Sequence, residues 1–442
     1  MDQPQAPLRL GEAARFWLKL GLISFGGPAG QVALLHSELV DRRRWLSERR
    51  YLHALNYCML LPGPEATQLA VYIGWLMHGP LGGLIAGGLF IVPAVVVLTS
   101  LATIYVSWGS LPLLASVFWA LKPTVVAIVL QAAVRVGSRT LYNRWLGAIA
   151  LAAFLGLTLL QIPFPALIAA AAIAGWLLDR WRPGLLAKPR TLATATTAST
   201  LAATRALHDD DTPTPEHGRF CPRRLARTLL IAAVALAAPL AGLSWWGGWE
   251  GVLATMARFF TRVALVSFGG AYAVLPYVAQ GAVERFQWLS ASQMVDGLAL
   301  GETTPGPLIM VVAFVGFMGG WSQLGSWWGA LAATLTVVWF TFLPSFVFIL
   351  AGAPLVESSR DDLRLGAPLT AITAAVVGVI VNLAVLFAQP VLWPSGFSGP
   401  ALVILLASLL CLLRWRWSVL QLIAAAAGLG VLRWALALLP WP

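Results

Sequence analysis

Long apolar segments, separated by short breaks rich in Gly, Pro and Arg, follow one another along most of the chain. Many of them are long enough to cross about 30 Å of hydrocarbon as an α-helix. Backbone polar groups in lipid must be satisfied internally, by helices or by a closed barrel, and the alternating pattern of barrel strands is absent. The pattern predicts an all-α, polytopic transmembrane helical bundle. The thirteen predicted segments are 13–35, 52–77, 80–107, 112–136, 144–160, 164–178, 225–243, 252–279, 293–318, 325–351, 365–389, 399–413 and 417–435.

The composition excludes a water-soluble enzyme. Of 442 residues, 59% are hydrophobic and only 11% are charged, whereas about 25% are charged in an average soluble domain. The net charge of +11 indicates no nucleic-acid partner, because Lys and Arg collect in loops and at helix ends, as they do in cytoplasmic loops of membrane proteins. The three Cys and five His residues show no metal-ligand spacing and there is no P-loop, so we expect neither a metal nor another cofactor.

A polar stretch interrupts the apolar pattern in the middle of the chain. It is rich in Pro, Thr and charged residues, which is typical of a solvated linker. We therefore divide the chain into an N-terminal transmembrane repeat (1–180), a cytoplasmic linker (181–224) and a C-terminal transmembrane repeat (225–442) preceded by one extra helix. Neither repeat includes residues 188–217, and we expect them to be dispensable.

The two halves of the chain are related by an internal repeat. At an offset of 243 residues, Ser24-Phe-Gly-Gly recurs as Ser267-Phe-Gly-Gly, and Pro62-Gly-Pro recurs as Pro305-Gly-Pro. Further on, Pro matches Pro at an offset of 251 residues (93 to 344). Seven predicted spans separate the two starts, an odd number, so the repeats should run in opposite directions. Inverted repeats with broken helices are a recurrent architecture of secondary transporters, whose binding site lies near the bilayer midplane.

The distribution of Arg residues conflicts with both orientations of the first segment. A cytoplasmic N-terminus places the 135–144 loop and the linker inside, as expected for basic loops, but leaves Arg42–Arg44 and Arg49–Arg50 outside. A re-entrant first segment brings that Arg run inside and moves the other basic loops outside. We keep the N-terminus inside, and the side on which residues 41–50 lie stays open.

Two pairs of cations occupy matching positions in the repeats. Arg15 and Lys19 correspond to Arg258 and Arg262, and the i, i+4 spacing puts each pair on one helix face. Positive charges inside membrane segments mark ion pathways, although Arg15 and Arg258 also lie close enough to helix ends to snorkel into the interface. We predict that Lys19 and Arg262 contact an anionic substrate, and we keep Arg15 and Arg258 as counter-ion or coupling residues.

The repeated Gly and Pro motifs predict helix breaks that bind an anion. Paired Gly residues weaken a helix, and the two Pro residues of each Pro-Gly-Pro remove amide donors and end it. The half-helix that follows a break presents free N–H groups and a positive dipole end. The alternative at both motifs is tight packing or a kink without a ligand. The predicted substrate-binding residues, besides the two cations, are Ser24, Gly26, Gly27, Ser267, Gly269, Gly270, Gly63, Thr67, Gln68, Thr303, Thr304 and Gly306, with helix breaks at Pro62, Pro64, Pro305 and Pro307.

Acidic residues are rare in the apolar segments. Glu65 and Glu302 lie beside the breaks but do not match each other across the repeats. A carboxylate in the bilayer next to cations serves either as a counter-ion or as a proton-coupling group, and both interpretations stay open. With Asp296 as the other candidate, these are too few carboxylates for a cation or metal transporter. Lys122 has no counterpart in the second repeat and is interpreted as a snorkelling or helix-end residue.

Three stretches, Phe16–Pro28, Leu61–Trp75 and Gly301–Met310, resemble the signature motifs of the chromate ion transporter family, in particular of its long-chain, two-domain members. The resemblance covers nearly the whole chain outside the 185–220 linker. It implies a secondary transporter that exports chromate from the bacterial cytoplasm across the inner membrane and confers chromate resistance, with sulfate as the structural analogue. Membrane potential, proton coupling or both would drive it.

Other functions are less compatible with the sequence. A transporter or uptake system for sulfate or another oxyanion is the main alternative. A membrane-embedded enzyme is less favoured, because no nucleophile–base pair or metal cluster is visible. We therefore expect a non-enzymatic, multi-pass protein of the cell inner membrane, whose partners are chromate, sulfate-like oxyanions and the lipid bilayer. A homodimer stays an open alternative.

Overall fold

The computed structural model describes residues 8–25, 27–109, 111–186, 206–209, 212, 215–268, 271–358 and 366–438. Over these ranges the chain is helical and has no β-strand, only one isolated bridge between Leu46 and His208. The α-helices are α1 (Leu10–Ile23), α2 (Gly27–His36), α3 (Glu48–Leu60), α4 (Glu65–Trp108), α5 (Pro112–Thr140), α6 (Arg144–Thr158), α7 (Phe164–Trp181), α8 (Pro222–Gly247), α9 (Val252–Leu265), α10 (Ala271–Ala279), α11 (Ala291–Thr303), α12 (Val311–Leu324), α13 (Trp327–Ser358), α14 (Gly366–Leu392), α15 (Gly399–Leu413) and α16 (Val419–Ala437).

Seven of the described helices are long and apolar enough to cross a membrane, by length and composition: α4, α5, α7, α8, α13, α14 and α16. Three shorter apolar helical stretches, 144–158, 308–324 and 399–413, accompany them. These helices confirm the predicted polytopic bundle. The number of full spans stays a prediction.

The first two predicted spans are broken helices that turn back on themselves. α1 has 14 residues and α3 has 13, so each rises only about 20 Å, at roughly 1.5 Å per residue, and is too short to cross the hydrocarbon. α1 ends before Ser24, and α2 leads the chain back through a π-helical turn, Ser37–Arg42. α3 ends before Pro62-Gly63-Pro64, and α4 starts at Glu65.

A second break divides α4 into a short and a long part. His78 and Gly79 have non-helical backbone angles, with φ of −134° and +65°, so residues 65–77 and 80–108 form separate helices. The short part completes a hairpin with α3. The long part spans about 40 Å at roughly 1.5 Å per residue and is the first helix along the chain that can cross the hydrocarbon.

The loops rich in Arg gather at one end of the molecule, called the basic end below, which carries residues 42–50, 139–144 and 180–186. Linker residues 207–208 donate backbone hydrogen bonds of 3.0 Å to residues 44–45. Asp41 and Thr140 face one cavity, and the Asn143 side chain donates to the carbonyl of Leu185 at 2.8 Å. Both of the first two predicted segments, 13–35 and 52–77, turn back on themselves, whereas the alternative drawn from the sequence has one such segment. Two turns bring the Arg run to the same end as the other basic loops, so the conflict over its position disappears.

The second half repeats this succession of elements. α9, α10, a π-helical turn (Gln280–Arg285) and α11 follow in the same order as α1, α2, the first π-helical turn and α3. Five helices lie between the two sets, namely the long part of α4 and α5 to α8. Four of them are long enough to cross the hydrocarbon, and α6, with 15 residues, is one of the shorter apolar helices. The opposite direction of the second repeat stays our prediction.

The two halves interlock through α5 and α14. α6 and α7 of the first half pack against α14, whereas α15 and α16 of the second half pack against α5. One hydrophobic core therefore contains residues from both halves. α8, the extra helix, buries Ala232 alone and lies on the outside of the bundle. The domain boundaries stay a prediction.

The distal part of the linker packs against the first half, although its composition predicts a solvated segment. Arg50 donates through Nη2 to the carbonyl of Thr212. His217 donates through Nε2 to the carbonyl of Trp75 at 2.9 Å, and the two rings meet edge to face. Composition does not reveal this docking because most of its hydrogen bonds involve backbone groups, which every sequence possesses. Residues 187–205 of the linker lie outside the described ranges.

Candidate functional site

The helix breaks of the two halves meet inside the protein and hydrogen-bond to each other. The amide of Gly63 donates to the carbonyl of Ser267, and the amide of Gly306 donates to the carbonyl of Ser24, each at 2.8 Å. We call these contacts the first crossing (Gly63–Ser267) and the second crossing (Gly306–Ser24). Both Gly residues have a positive φ, +131° and +105°, which L side chains rarely adopt. Each Pro-Gly-Pro motif therefore closes on the Ser-Phe-Gly-Gly motif of the other half.

Four of the predicted binding residues are buried at or beside the crossings with polar atoms that lack a partner. Ser24, Ser267, Thr67 and Gln68 are at most 1% exposed. The three hydroxyl groups and Oε1 of Gln68 make no hydrogen bond with any described residue. Buried polar atoms are normally paired, so these groups are available to a ligand.

Other predicted residues have different surroundings. Thr303 and Thr304 donate to carbonyls one turn earlier in α11, at 2.7 and 3.0 Å, so their hydroxyl protons are already used. Pro62, Pro64, Pro305 and Pro307 lie between helices. Gly26, Gly269 and Gly270 lie outside the described residues.

Gln31 on α2 is a buried residue of the second crossing that the repeated motifs do not single out. Its Nε2 donates to the carbonyl of Gly306 and, at 3.4 Å, to the carbonyl of Ser24. At the matching position of the second half the residue is Val274. The sequence could have indicated Gln31 only through this difference between the two halves. A search for residues that are identical in both halves does not detect it.

A cavity of about 810 Å³ opens at the basic end, beside the breaks. Its wall includes Gly27 and Glu65 from the break motifs, Glu302 from α11, and Arg135 and Arg139 from α5. The sequence pattern ends this segment at 136 and counts Arg135 and Arg139 with the basic loop 135–144, which overlaps with the last two residues of the segment. In the structure α5 continues to Thr140, and the i, i+4 spacing presents both guanidinium groups on one helix face.

The cavity combines these cations with carboxylates. Glu302 is buried and accepts a hydrogen bond of 2.5 Å from Tyr272, while Glu65 is half-buried in the first turn of α4. Asp41 lies at the same wall. Glu65 and Glu302 therefore share one cavity even though they do not match in the repeat. Among the described residues, no group of three or more His, Cys, Asp or Glu is arranged to hold a metal.

A second cavity, of about 710 Å³, occupies the matching position in the second half. α10 with its π-helical turn and α14 line it, just as α2 with its turn and α5 line the first cavity. The positions that match Arg135 and Arg139 are Leu386 and Pro390. Among the described residues that line this cavity, Glu284 is charged and none is Lys or Arg. Of these two matching cavities, the one at the basic end therefore offers cations to an anion.

The four predicted intramembrane cations do not line either of these cavities. Lys19 and Arg262 are exposed, because the buried faces of α1 and α9 consist of apolar residues that pack into the core. Arg15 is exposed too, and Arg258 lies beside the start of α9, over the ring of Trp249 and 3.7 Å from a carboxylate oxygen of Glu250. The structure does not bring them to the crossings. Their contact with substrate stays a prediction.

Comparison with known proteins finds one matching family model and several similar transporters. The family model described as chromate transporter matches residues 11–176 and 254–431. A chromate transport protein of Pseudomonas aeruginosa is 32% identical over 429 residues, which cover 95% of this chain and 91% of that protein. A chromate transport protein of Cupriavidus metallidurans is 26% identical over 97% of this chain and 94% of its own length. An uncharacterized transporter of Bacillus subtilis is 27% identical over 148 residues, or 33% of this chain and 75% of that protein. No solved structure matches.

Proposed function

The chain belongs to the chromate transporter family, and on that premise we propose that it exports chromate, a sulfate-like tetrahedral dianion, from the cytoplasm across the inner membrane. Membership of the family indicates a role in chromate transport rather than catalysis, carried out by a membrane-embedded, multi-pass protein. The direction of transport, the driving force and the resulting chromate resistance are part of the proposal.

The observation that carries the proposal is the position of Arg135 and Arg139. They line the cavity at the basic end, and the matching cavity of the second half has no Lys or Arg among its described lining residues. Cations in a cleft with low-dielectric walls raise the local concentration of anions. An anion therefore enters more readily from the basic end than from the other end, which favours export if the basic end is cytoplasmic.

The gathering of basic loops supports a cytoplasmic assignment of that end. Residues 42–50, 139–144 and 180–186 lie there together, and cytoplasmic loops of membrane proteins carry an excess of Lys and Arg. The membrane potential then acts in the direction of export. Moving one charge across 100 mV is worth about 2.3 kcal/mol, so a dianion gains about twice that amount on leaving a negative-inside cell.

The route leads from this cavity to the crossings of the breaks. There the short part of α4 begins, and its first N–H groups and positive dipole end favour an anion. Glu65 and Glu302 face the same cavity as Arg135 and Arg139. The carboxylates either act as counter-ions that the anion displaces, or bind protons as the anion moves. The dependence of the export rate on an imposed pH gradient, at a clamped membrane potential, distinguishes the two.

Inverted membrane vesicles, whose cytoplasmic face is outside, test the proposal by uptake of chromate. We expect Arg135→Gln and Arg139→Gln to lower the initial rate about tenfold each, since steering by charge changes association rates by roughly 10- to 1000-fold. Arg144→Gln is the matched control, because Arg144 is exposed at the same end and lines neither cavity. Equal rates for all three variants would contradict the role of the cavity.

The same vesicles test the prediction that Lys19 and Arg262 contact substrate. If either cation binds the anion, Lys19→Gln or Arg262→Gln abolishes uptake while the amount of inserted protein is unchanged. Wild-type rates for both variants would show that exposed cations on α1 and α9 do not take part, and would leave the α5 cations as the anion-binding charges.

Transport of sulfate is the second candidate function. The crossings present hydroxyl and amide groups, which respond to the charge and acceptor geometry of a ligand and have little means to sense its central atom. Uptake of labelled sulfate by the same vesicles, measured beside chromate, shows which of the two anions has the higher kcat/KM.

A further inference from the structure

The two crossings are alike in their backbone hydrogen bonds but differ in the side chains around them. At the first crossing, Gly63 faces Ser345 of α13, and a Cβ atom built on Gly63 would overlap with the Ser345 hydroxyl and lie 2.6 Å from Nε2 of Gln68. Thr67 occupies the same first turn of α4 as Gln68. The hydroxyl groups of Ser267, Ser345 and Thr67 are buried and have no hydrogen-bond partner among the described residues.

At the second crossing the matching side chains are apolar or already bonded. A Cβ atom on Gly306 would overlap with the methyl group of Ala94, which stands where the first crossing has Ser345. Met310 and Val311 stand in place of Thr67 and Gln68. Gln31 donates to both carbonyls of this crossing. Ser24 thus contributes the one hydroxyl there that has no partner in the described chain.

We propose that the first crossing is the oxyanion-binding site of the transporter, with Ser345 as a binding residue, and that the second crossing is a structural joint. The proposal deepens the proposed function and rests on it. Its central observation is that Ser267, Ser345 and Thr67 carry buried, unpartnered hydroxyl groups at or beside the first crossing. Of the matching positions of the other half, which are Ser24, Ala94 and Met310, Ser24 alone carries such a group.

The chemistry of the first crossing suits a tetrahedral dianion. Each of the three hydroxyl groups carries a proton that can be donated to an oxygen, and the Gln68 amide has a second N–H besides the one given to Pro62. Residues 65–77 form a half-helix whose first N–H groups have no partner within the helix. Hydrogen bonds to a charged acceptor are stronger than neutral ones. Neutral donors hold the anion without a fixed countercharge, so it can leave again.

The second crossing acts differently because Gln31 bonds the two break segments to each other. A ligand entering there would have to displace these hydrogen bonds, and it would meet Ala94, Met310 and Val311 in place of donors. Burying an anion against apolar groups without donors is strongly unfavourable. The two crossings therefore share their backbone geometry, but the first crossing alone combines several side-chain hydrogen-bond donors.

Matched substitutions at the two crossings test this assignment. Purified protein in detergent is titrated with labelled chromate and, separately, with labelled sulfate. We expect Ser267→Ala, Ser345→Ala and Thr67→Val each to raise the Kd about tenfold, the loss of one hydrogen bond to a charged group. Ser24→Ala removes the same atom at the other crossing, and Ala94→Ser adds a hydroxyl there. The repeated motifs predict Ser24 as a binding residue, whereas our assignment gives its crossing a structural role. We therefore expect both of these variants to change the Kd by less than about twofold.

The outcomes separate the site from the direction of transport. An equal rise in Kd for Ser24→Ala and Ser267→Ala would overturn the assignment, as would unchanged binding by Ser345→Ala. Absence of chromate and sulfate binding by the wild type would overturn it as well. Tight binding by the wild type without potential-driven export from vesicles would refute the proposed function and leave the binding site in place. Thr67→Val keeps the side-chain shape, so a loss of binding with an unchanged unfolding temperature cannot be ascribed to misfolding.

Discussion

Lys122 on α5 places its ammonium group 3.4 Å from a carboxylate oxygen of Asp296 on α11, and so joins the first half of the chain to the second by an ion pair. The same carboxylate oxygen accepts a hydrogen bond of 2.9 Å from Tyr105, and Lys122 donates to the hydroxyl of Ser292 at 2.6 Å. Asp296 is buried. Lys122 is therefore a partner in an internal contact, whereas the sequence favours a snorkelling or helix-end residue.

Removing either member of this pair should destabilise the protein. A buried charge without its partner costs about 3 kcal/mol, more than an intact buried pair contributes. We expect Lys122→Met and Asp296→Asn each to lower the unfolding temperature in detergent, and the double variant to lose less than the sum of the two. Lys19→Met, which removes an exposed Lys, is the control. Additive losses would show that the two residues do not interact.

Gly63 and Gly306 should tolerate no side chain. Both have a positive φ, and a Cβ atom on either would overlap with a neighbour on α13 or α4. We expect Gly63→Ala and Gly306→Ala to lower chromate uptake at least tenfold, since the combined strain and overlap amount to roughly 2 kcal/mol or more. Gly88→Ala is the control, because Gly88 lies within α4 with open space around its Cβ position. An active Gly63→Ala variant would show that the break geometry is not required.

The linker should be dispensable in part. Its distal residues are hydrogen-bonded to the first half, so we narrow the expected dispensable segment from 188–217 to 188–205. Deletion of 188–205 should preserve export, whereas deletion of 206–217 should remove the backbone hydrogen bonds to residues 44–47 and lower the unfolding temperature. Transport rates and melting curves of the two deletions decide this. Equal behaviour would mean that the docked segment has no structural role.

Docking of the linker should weaken in acid because of His208. Burial, followed by the nearby Arg50, lowers the pKa of His208 from 6.5 to about 4. The docked state thus binds fewer protons than the free one, so the contribution of His208 to docking is complete above pH 6.5 and is lost as the pH falls toward 4. Glu357, His217 and His78 also act on His208, Glu357 in the opposite sense to the two His residues.

Hydrogen exchange measures this effect. After correction for the intrinsic pH dependence of exchange, the amides of residues 207–208 should lose protection between pH 6.5 and 4 in the wild type. His208→Gln should remove that dependence, and His217→Gln should keep most of it. Constant protection of the wild type across this range would show that His208 does not control docking.

Sulfate should compete with chromate, and phosphate should compete less well. Chromate and sulfate are both tetrahedral dianions with four acceptor oxygens, whereas phosphate is partly protonated at neutral pH and brings a donor to a site lined by donors. We expect excess sulfate outside inverted vesicles to lower the initial rate of chromate uptake, and phosphate to lower it to a smaller extent. An unchanged rate in a large excess of sulfate would contradict binding by hydroxyl and amide donors.

The sequence by itself determined the class of the protein and the location of its breaks. Apolar segments must be helical in lipid because their backbone groups have no other partners there. Pro-Gly-Pro ends a helix wherever it occurs, since the missing amide donors are a local property of the chain. The identical residues at one fixed offset also revealed the internal repeat. They match Ser24 with Ser267 and Gly63 with Gly306, and finding them requires no knowledge of contacts.

Only the tertiary structure decided which residues meet. The break of one half closes on that of the other, α5 carries Arg135 and Arg139 into a cavity, and α13 brings Ser345 to Gly63. Lys19 and Arg262, by contrast, line neither of the two matching cavities. Helix starts and ends follow from neighbouring residues, but the face that a helix buries depends on partners hundreds of positions away. A search for identical residues in a repeat also passes over the positions at which its halves differ. The side chains of the two crossings differ at such positions, for example Ser345 against Ala94 and Gln31 against Val274.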